Sequence, residues 1–357
     1  VKQKIWLDDT DAALDDTASR YTAERYRFEE RQRLTAAERR FDPKVWKELG
    51  DMGWLSVSTP EELGGLGLRV ASICLLAEAA GRALINEPFV GTGVVAPYLL
   101  ARQGSDAQRD AWLPGLLTGS DRVACLLDPN TWTVEDGRLH GEQALVPDAD
   151  IAGRFMVQAD DALWWLAADA PGVARKSFAL LDGRGAATVV LDGAVATRVG
   201  NGGSPASDVR TARQLAALAT ASDAQGAMSA AFELTLDYLK TRRQFGTPLG
   251  ANQALQHRAV DMYVAIGECR AVLDQAIESL QAGTPEAARD VHAAKSFVCE
   301  TARRVTQEAV QLHGGIGITE EYAASHYLRR ARVDEQLWGS AQQHFAAFTA
   351  AGAAGTH

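Results

Sequence analysis

From residue 208 to about 350 the chain carries Ala, Leu, Glu, Gln and Arg with few helix breakers, and this run constrains the fold more than any other feature. Apolar residues at helical spacing leave each such helix with one face to bury, and several long helices side by side solve that by packing as a bundle. The breakers fall between helices. Gly246 to Gly250 separates the first from the second. Gln281-Ala-Gly-Thr-Pro285 separates the second from the third, with Thr284 expected as N-cap and Pro285 at the first helical position. Gly314-Gly-Ile-Gly317 ends the third.

The first 120 residues also read as helices. Asp42-Pro43 predicts a capped helix start, Val70 to Leu84 returns to helical spacing, and Ser105-Asp-Ala-Gln108 has the form of a capping box. From about residue 121 the pattern changes to short apolar runs: Val123–Leu127, Arg154–Val157, Leu163–Leu166, Phe178–Leu181 and Ala187–Leu191. Asp136-Gly137, Asp182-Gly183 and Asp192-Gly193 punctuate them, as turns do between antiparallel strands. The expected class is α+β: an N-terminal helical domain over 1–120, a small central antiparallel β domain over 121–205, and a C-terminal four-helix bundle over 206–357. The last eight residues, Ala350 to His357, read as a frayed tail.

Composition removes some functions. The net charge is −10, so the chain lacks the broad positive field that nucleic acid binding requires. Its four cysteines, Cys74, Cys125, Cys269 and Cys299, are scattered without metal-site spacing and read as buried small hydrophobes. No apolar run approaches the roughly 18 residues of a membrane span. The first ten residues lack the apolar core of a secretory signal, so a cytoplasmic protein is expected.

Two segments stand out chemically. One is Asp237-Tyr-Leu-Lys-Thr-Arg-Arg-Gln-Phe-Gly-Thr-Pro-Leu-Gly-Ala-Asn-Gln-Ala-Leu-Gln-His-Arg258, and the other is Gln311-Leu-His-Gly-Gly-Ile-Gly-Ile-Thr-Glu-Glu-Tyr322. Arginine offers a planar fork of donors to phosphate, and glycine lets a backbone approach one without a Cβ. Taken alone, an Arg-Arg pair late in a helix does no more than suit the helix C-terminus, and Gly314-Gly315 is a helix cap. His257, His292 and His313 read as structural, and Thr235 and Tyr238 as core or interface.

Together, in this helical–β–helical order, the two segments resemble the flavin-binding signatures of the acyl-CoA dehydrogenase family of FAD flavoproteins. The resemblance covers nearly the whole chain. It implies that Arg242 and Phe245, with Gln244 close by, reach the FAD of a neighbouring subunit. It implies that Gln311, Gly314 and Gly315 contact the adenosine and pyrophosphate portion. An acyl-CoA substrate, an electron-transferring flavoprotein as electron acceptor and a dimeric or tetrameric assembly follow from the same resemblance.

The chain departs from that family at three places. A glutamate in a Glu-Gly-Thr segment usually takes the α-proton of the thioester there. Ungapped counting from Glu321-Tyr322 sets Trp338-Gly339-Ser340 on that segment, with Ser340 still a candidate cofactor contact. An indole has a donor and no basic lone pair, so Trp338 cannot accept the proton. The nearest carboxylates, Asp334 and Glu335, are the candidates for a displaced base. The alternative place for the base, counted back from Gly246, holds Ala216. Third, the Thr-Glu-Pro…Gly-Ser-Asp loop beside the flavin is replaced by a shortened Leu126-Leu-Asp-Pro-Asn-Thr-Trp-Thr-Val134.

These departures resemble the small subunits of heteromeric acyl-CoA dehydrogenases of the pimeloyl-CoA and steroid types. In those assemblies one chain supplies the glutamate and its partner helps build the flavin site, in fatty acid or sterol catabolism. Three other readings stay open on the residues: a flavoenzyme of the same fold with monooxygenase or desulfinase chemistry, a flavin-free structural or regulatory subunit, and a homotetrameric dehydrogenase with a displaced base.

Overall fold

The computed structural model describes residues 8–36, 40–128, 130–244 and 246–354. In chain order, α1 (Asp9–Arg25), α2 (Phe28–Ala36), α3 (Pro43–Asp51) and α4 (Val70–Ala83) precede a π-helical segment at Phe89–Val95. Then come α5 (Ala96–Gln103) and α6 (Asp106–Leu117). Eight strands follow: β1 (Val123–Leu126), β2 (Trp132–Glu135), β3 (Arg138–Pro147), β4 (Arg154–Ala159), β5 (Ala162–Ala167), β6 (Val173–Ala179), β7 (Gly185–Val195) and β8 (Thr197–Arg198). The remainder is α7 (Ala206–Thr241), the hairpin β9 (Arg243–Gln244) and β10 (Thr247–Pro248), α8 (Gln253–Ala282), α9 (Ala287–His313), α10 (Ala324–Asp334) and α11 (Ala341–Ala354). The order is the expected one, helices before and after a small sheet region.

The caps explain many of the boundaries. Asp42 Oδ1 accepts the Lys44 N–H at 2.9 Å, with Pro43 opening α3. Ser105 and Gln108 form the reciprocal capping box of α6. Gly283, at φ 64°, closes α8. The expected start of the next helix is two residues early. Thr284 and Pro285 form a turn in which the Ala287 N–H reaches the Thr284 carbonyl (3.1 Å), and the α ladder begins only after it. The expected tail is helical as far as Ala354, because alanine is the best helix former; residues 355–357 lie outside the described residues.

The chain forms two compact units. One gathers residues up to Arg33, Val70–Ile85, and everything from Ala217 onward. Its core holds Leu218, Met228, Met262, Ile266, Leu273 and Val298. In it α9 packs against α8, α10 and α11, and α4 against α1 and α8. A Cβ on Gly81 would lie 1.9 Å from the Asp223 carbonyl oxygen, and one on Gly226 would lie 2.0 Å from that of Glu78. The backbones of α4 and α7 therefore touch where two glycines cross, and any side chain there would push them apart. Buried charges tie α4 and the segment after it to other helices: Arg330 of α10 donates through Nη2 to the Ile85 carbonyl at 2.6 Å, and Arg270 of α8 pairs with Glu78 at 2.6 Å.

The other unit spans residues 34–69 and 86–216. Two four-stranded sheets, ordered β1-β4-β5-β8 and β2-β3-β7-β6, share a core that includes Phe155, Val157, Leu166, Trp132, Leu139, Val189 and Leu191. Strand pairing is antiparallel as expected, with one exception. β1 runs parallel to β4, because the chain passes through β2 and β3 of the second sheet before re-entering the first in the same direction. The sixth strand lies earlier than the Phe178–Leu181 run suggests; Leu180 and Leu181 instead form the turn at Gly183, φ 90°. Thr92, in the π-helical segment, fixes β1 by donating its hydroxyl to the Val123 carbonyl at 2.9 Å.

Candidate functional site

The site residues named from the sequence fall on three connections of the helical unit. The first follows α7. The Arg242 N–H still bonds back to the Tyr238 carbonyl (2.8 Å), after which the chain doubles back through the β9–β10 hairpin. Gly246, φ 83°, makes the turn, and Arg243 donates to its carbonyl. Phe245 lies outside the described residues. Arg242 and Gln244 are exposed, and among the described residues neither side chain makes a hydrogen bond or an ion pair. Their neighbours differ: Gln256 bonds the Gly250 carbonyl and Arg258 pairs with Glu308.

The second connection follows α9. Gln311 is exposed in its last turn, and its amide likewise has no partner among the described residues. Gly314 sits at φ 63°, ψ −139°, a backbone state that only glycine adopts at low cost. A Cβ on Gly314 or Gly315 would meet nothing within 4 Å, whereas one on Gly317 would lie 2.6 Å from the Val310 carbonyl. So Gly317 is required for packing, while Gly314 and Gly315 present bare backbone to open space.

His313 joins these two connections. It is buried, its Nδ1–H donates to the Ala309 carbonyl at 2.7 Å, and its ring centroid lies 4.6 Å from Tyr238 and 5.0 Å from Tyr322. Burial lowers its pKa and keeps it neutral. The expectation that His313 and Tyr238 are packing residues therefore holds, and their stack sets the root of the hairpin beside the glycine run. Thr235, also read as core, is wholly buried with its hydroxyl on the Ala231 carbonyl.

The third connection, between α10 and α11, is of a different kind. Trp338 is half-buried at φ 58° and Gly339 follows at φ 95°. Ser340 caps α11: its Oγ accepts the Gln343 N–H (3.1 Å) and its own N–H donates to Gln343 Oε1 (2.8 Å). Asp334 is fully buried, and its backbone carbonyl accepts a hydrogen bond from the buried Lys295 Nζ. Glu335 is paired with Arg332 at 2.9 Å and with Arg303 at 3.6 Å. The Asp334 side chain is closed off from solvent and the Glu335 carboxylate is held in ion pairs. Ala216, at the alternative place for a base, is buried within α7.

In the sheet-containing unit, only residues 127–131 join β1 to β2, and Arg213 Nη1 donates to the Leu127 carbonyl at 2.8 Å. Trp132 is in the β core. All four cysteines are buried and unpaired with one another, and burial pushes the Cys74 and Cys269 thiols up to about 12 and Cys299 up to about 11. They are packing residues, not nucleophiles.

Sequence reasoning missed His344 and Lys295. His344 Nε2 lies 3.1 Å from the Trp338 carbonyl oxygen, and its Nδ1 lies 2.9 Å from Nδ1 of His292. A signal was present: His292, Lys295, Cys299 and Arg303 recur every three or four residues, a stripe at helical spacing that carries both long cationic and imidazole side chains.

Two family descriptions match the chain, "Acyl-CoA dehydrogenase, N-terminal domain" over residues 8–120 and "Acyl-CoA dehydrogenase, C-terminal domain" over residues 208–350. The acyl-CoA dehydrogenase IpdE2 of Mycobacterium tuberculosis is 32% identical over 313 residues, covering 86% of each chain. Among solved structures, a variant of the Tcur3481-Tcur3483 steroid ACAD is 30% identical with a TM-score of 0.86, covering 97% of this chain and 99% of that one. The ChsE4-ChsE5 complex from Mycobacterium tuberculosis is 25% identical with a TM-score of 0.88, covering 97% and 98%.

Proposed function

Because the chain belongs to the acyl-CoA dehydrogenase family, we propose that it is the FAD-holding subunit of a heteromeric acyl-CoA dehydrogenase whose catalytic glutamate comes from a second chain. One contrast carries the reading. Arg242, Gln244 and Gln311 keep donors without partners among the described residues, while the turn that should carry a base offers an indole, a fully buried Asp334 and a Glu335 held in ion pairs.

The residues present fit FAD. Arg242 supplies a planar cation for a pyrophosphate, and the open backbone at Gly314 and Gly315 admits a flat or charged group that a Cβ would exclude. Gln311 and Gln244 add exposed amides, and Ser340 keeps a hydroxyl proton to donate while its oxygen caps α11. Bound FAD supplies the acceptor for a hydride from an acyl-CoA. What these side chains do is bind and orient; none of them removes a proton.

The names of two relatives, ChsE4-ChsE5 and Tcur3481-Tcur3483, each pair two chains, which supports an assembly of unlike subunits. The name of the second, a steroid ACAD, favours a bulky steroid-type acyl-CoA over a simple fatty acyl one. An electron-transferring flavoprotein is the acceptor this reading assigns, and the cytoplasm its compartment. Among the described residues no helix is long and apolar enough to cross a membrane.

The test is to express the chain alone and record its absorbance spectrum together with acyl-CoA oxidation by a dye acceptor. A yellow protein inert toward every acyl chain length is expected. Turnover by the pure chain would sink the proposal in favour of a base within this polypeptide, and a colourless chain that no added FAD converts would remove the cofactor role.

A further inference from the structure

The connection between α10 and α11 places two left-handed residues in succession, Trp338 at φ 58° and Gly339 at φ 95°. A bulky side chain is disfavoured in that region, so contacts outside the turn must hold it there. Those contacts come from one stripe of α9. Lys295 Nζ donates to the Asp334 carbonyl, and Cys299 Sγ lies 3.7 Å from the same oxygen. Arg303 pairs with Glu335 at 3.6 Å. Three residues before Lys295, His292 faces His344, with ring centroids 4.9 Å apart. The turn closes directly on the His344 ring, since a Cβ on Gly339 would lie 2.6 Å from His344 Nε2.

With both imidazoles neutral, the polarity of the two histidine bonds follows from elementary chemistry. The Trp338 carbonyl can only accept, so His344 Nε2 carries the proton and donates across 3.1 Å. A neutral His344 then has a bare Nδ1, which accepts across 2.9 Å from a proton on His292 Nδ1. The bonds form a directed chain from α9 to the backbone of residue 338. It touches no side-chain atom of Trp338.

We propose that His344, oriented by His292, is the positioning residue of the Trp338–Ser340 turn, fixing the backbone from which side chain 338 projects whatever that side chain is. Its functional weight rests on the reading that this turn is where the family carries its base; the bond chain does not. A glutamine at 344 would present amide N–H donors and a carbonyl acceptor, covering the two functions the imidazole supplies, whereas a leucine would present neither.

The experiment uses the full chain in two labelled forms. With nitrogen-15 histidine, long-range proton–nitrogen spectra at pH 7.5 report the tautomers, assigned by the signals lost in His344→Gln and in His292→Asn. His344 as the Nε2–H tautomer and His292 as the Nδ1–H tautomer are expected, and either in the opposite form overturns the proposal. With 5-fluorotryptophan, the resonance absent in Trp338→Phe reports the turn. It should keep its position in His344→Gln and shift or broaden in His344→Leu. An unmoved resonance in His344→Leu, or equal displacement in both variants, overturns the proposal. If His344→Leu does not fold, His292→Leu takes its place and the tautomers of the unmodified chain still decide. Neither readout needs bound flavin, so the flavin content of the same preparations tests the functional reading separately.

Discussion

Two connections of the helical unit make opposite use of their polar groups. The hairpin after α7 leaves Arg242 and Gln244 exposed with no partner among the described residues. The turn after α10 commits nearly everything: Asp334 and Glu335 to contacts with α9, Ser340 to the cap of α11, and the Trp338 carbonyl to His344. A segment that awaits a ligand keeps its donors unspent, and a segment that must hold one backbone conformation spends them internally. On the proposed reading, the first is a binding element and the second a positioning element.

The hardest test of that contrast is Lys295→Ala. Lys295 is fully buried and bonded to the Asp334 carbonyl, so the substitution removes a charged hydrogen bond and opens a cavity. A loss of about 3 kcal/mol in urea unfolding is expected. A loss below roughly 1 kcal/mol would mean the turn is not gripped from α9 in the way described.

Arg242→Ala should behave in the opposite manner. Its exposed guanidinium contributes nothing to the fold, so the melting curve should stay in place. Losing a charged contact to phosphate costs about 2 kcal/mol, which is roughly thirtyfold in FAD affinity by fluorescence titration. A variant that binds FAD as before would remove the hairpin from the cofactor site; one that unfolds would show that Arg242 was never spare.

Acid should act on the helical unit through its histidines. Burial lowers the pKa of His292, His313 and His326 below the ordinary value. A folded-state pKa below the unfolded one means the unfolded chain takes up protons first as pH falls. The stability these neutral rings provide is therefore complete above about pH 6.5 and declines below it toward their folded-state pKa values. Urea midpoints between pH 7.5 and 5 measure this. In His313→Phe, which keeps an aromatic ring against Tyr238 and Tyr322, the decline should be shallower; an identical slope would mean His313 does not titrate on unfolding.

Much of this was legible in the sequence for a local reason. Asp42-Pro43 and Ser105–Gln108 act over one helical turn, and Gly283 and Gly314 end helices through their own φ, so reading them needs no tertiary context. The parallel pairing of β1 with β4 joins residues about thirty apart, across an excursion into another sheet, and no turn signal announces it. The start of α9 shows a local rule yielding to a local competitor, the turn at Thr284. At the site, ungapped counting set Trp338 on the catalytic segment, but the grip on its backbone comes from residue 292 through residue 344. Such a link is visible only once α9 and α11 are packed together.

The smallest expected effect separates a held carboxylate from a working one. Glu335 is paired with Arg332 and Arg303 at the rim of the turn, partly open to water, where such pairs contribute about 0.5 kcal/mol. Glu335→Gln keeps the shape and removes the charge. If the contrast between the two connections is right, unfolding shifts by no more than that amount. Flavin content then stays as it was, and any acyl-CoA oxidation regained by adding a glutamate-bearing partner chain is unchanged in rate. A displaced base leaves stability equally little altered but reduces turnover a hundredfold or more, the scale of losing general-base catalysis. The rate of the reconstituted Glu335→Gln enzyme thus decides whether the turn after α10 only positions its residues or also takes the proton.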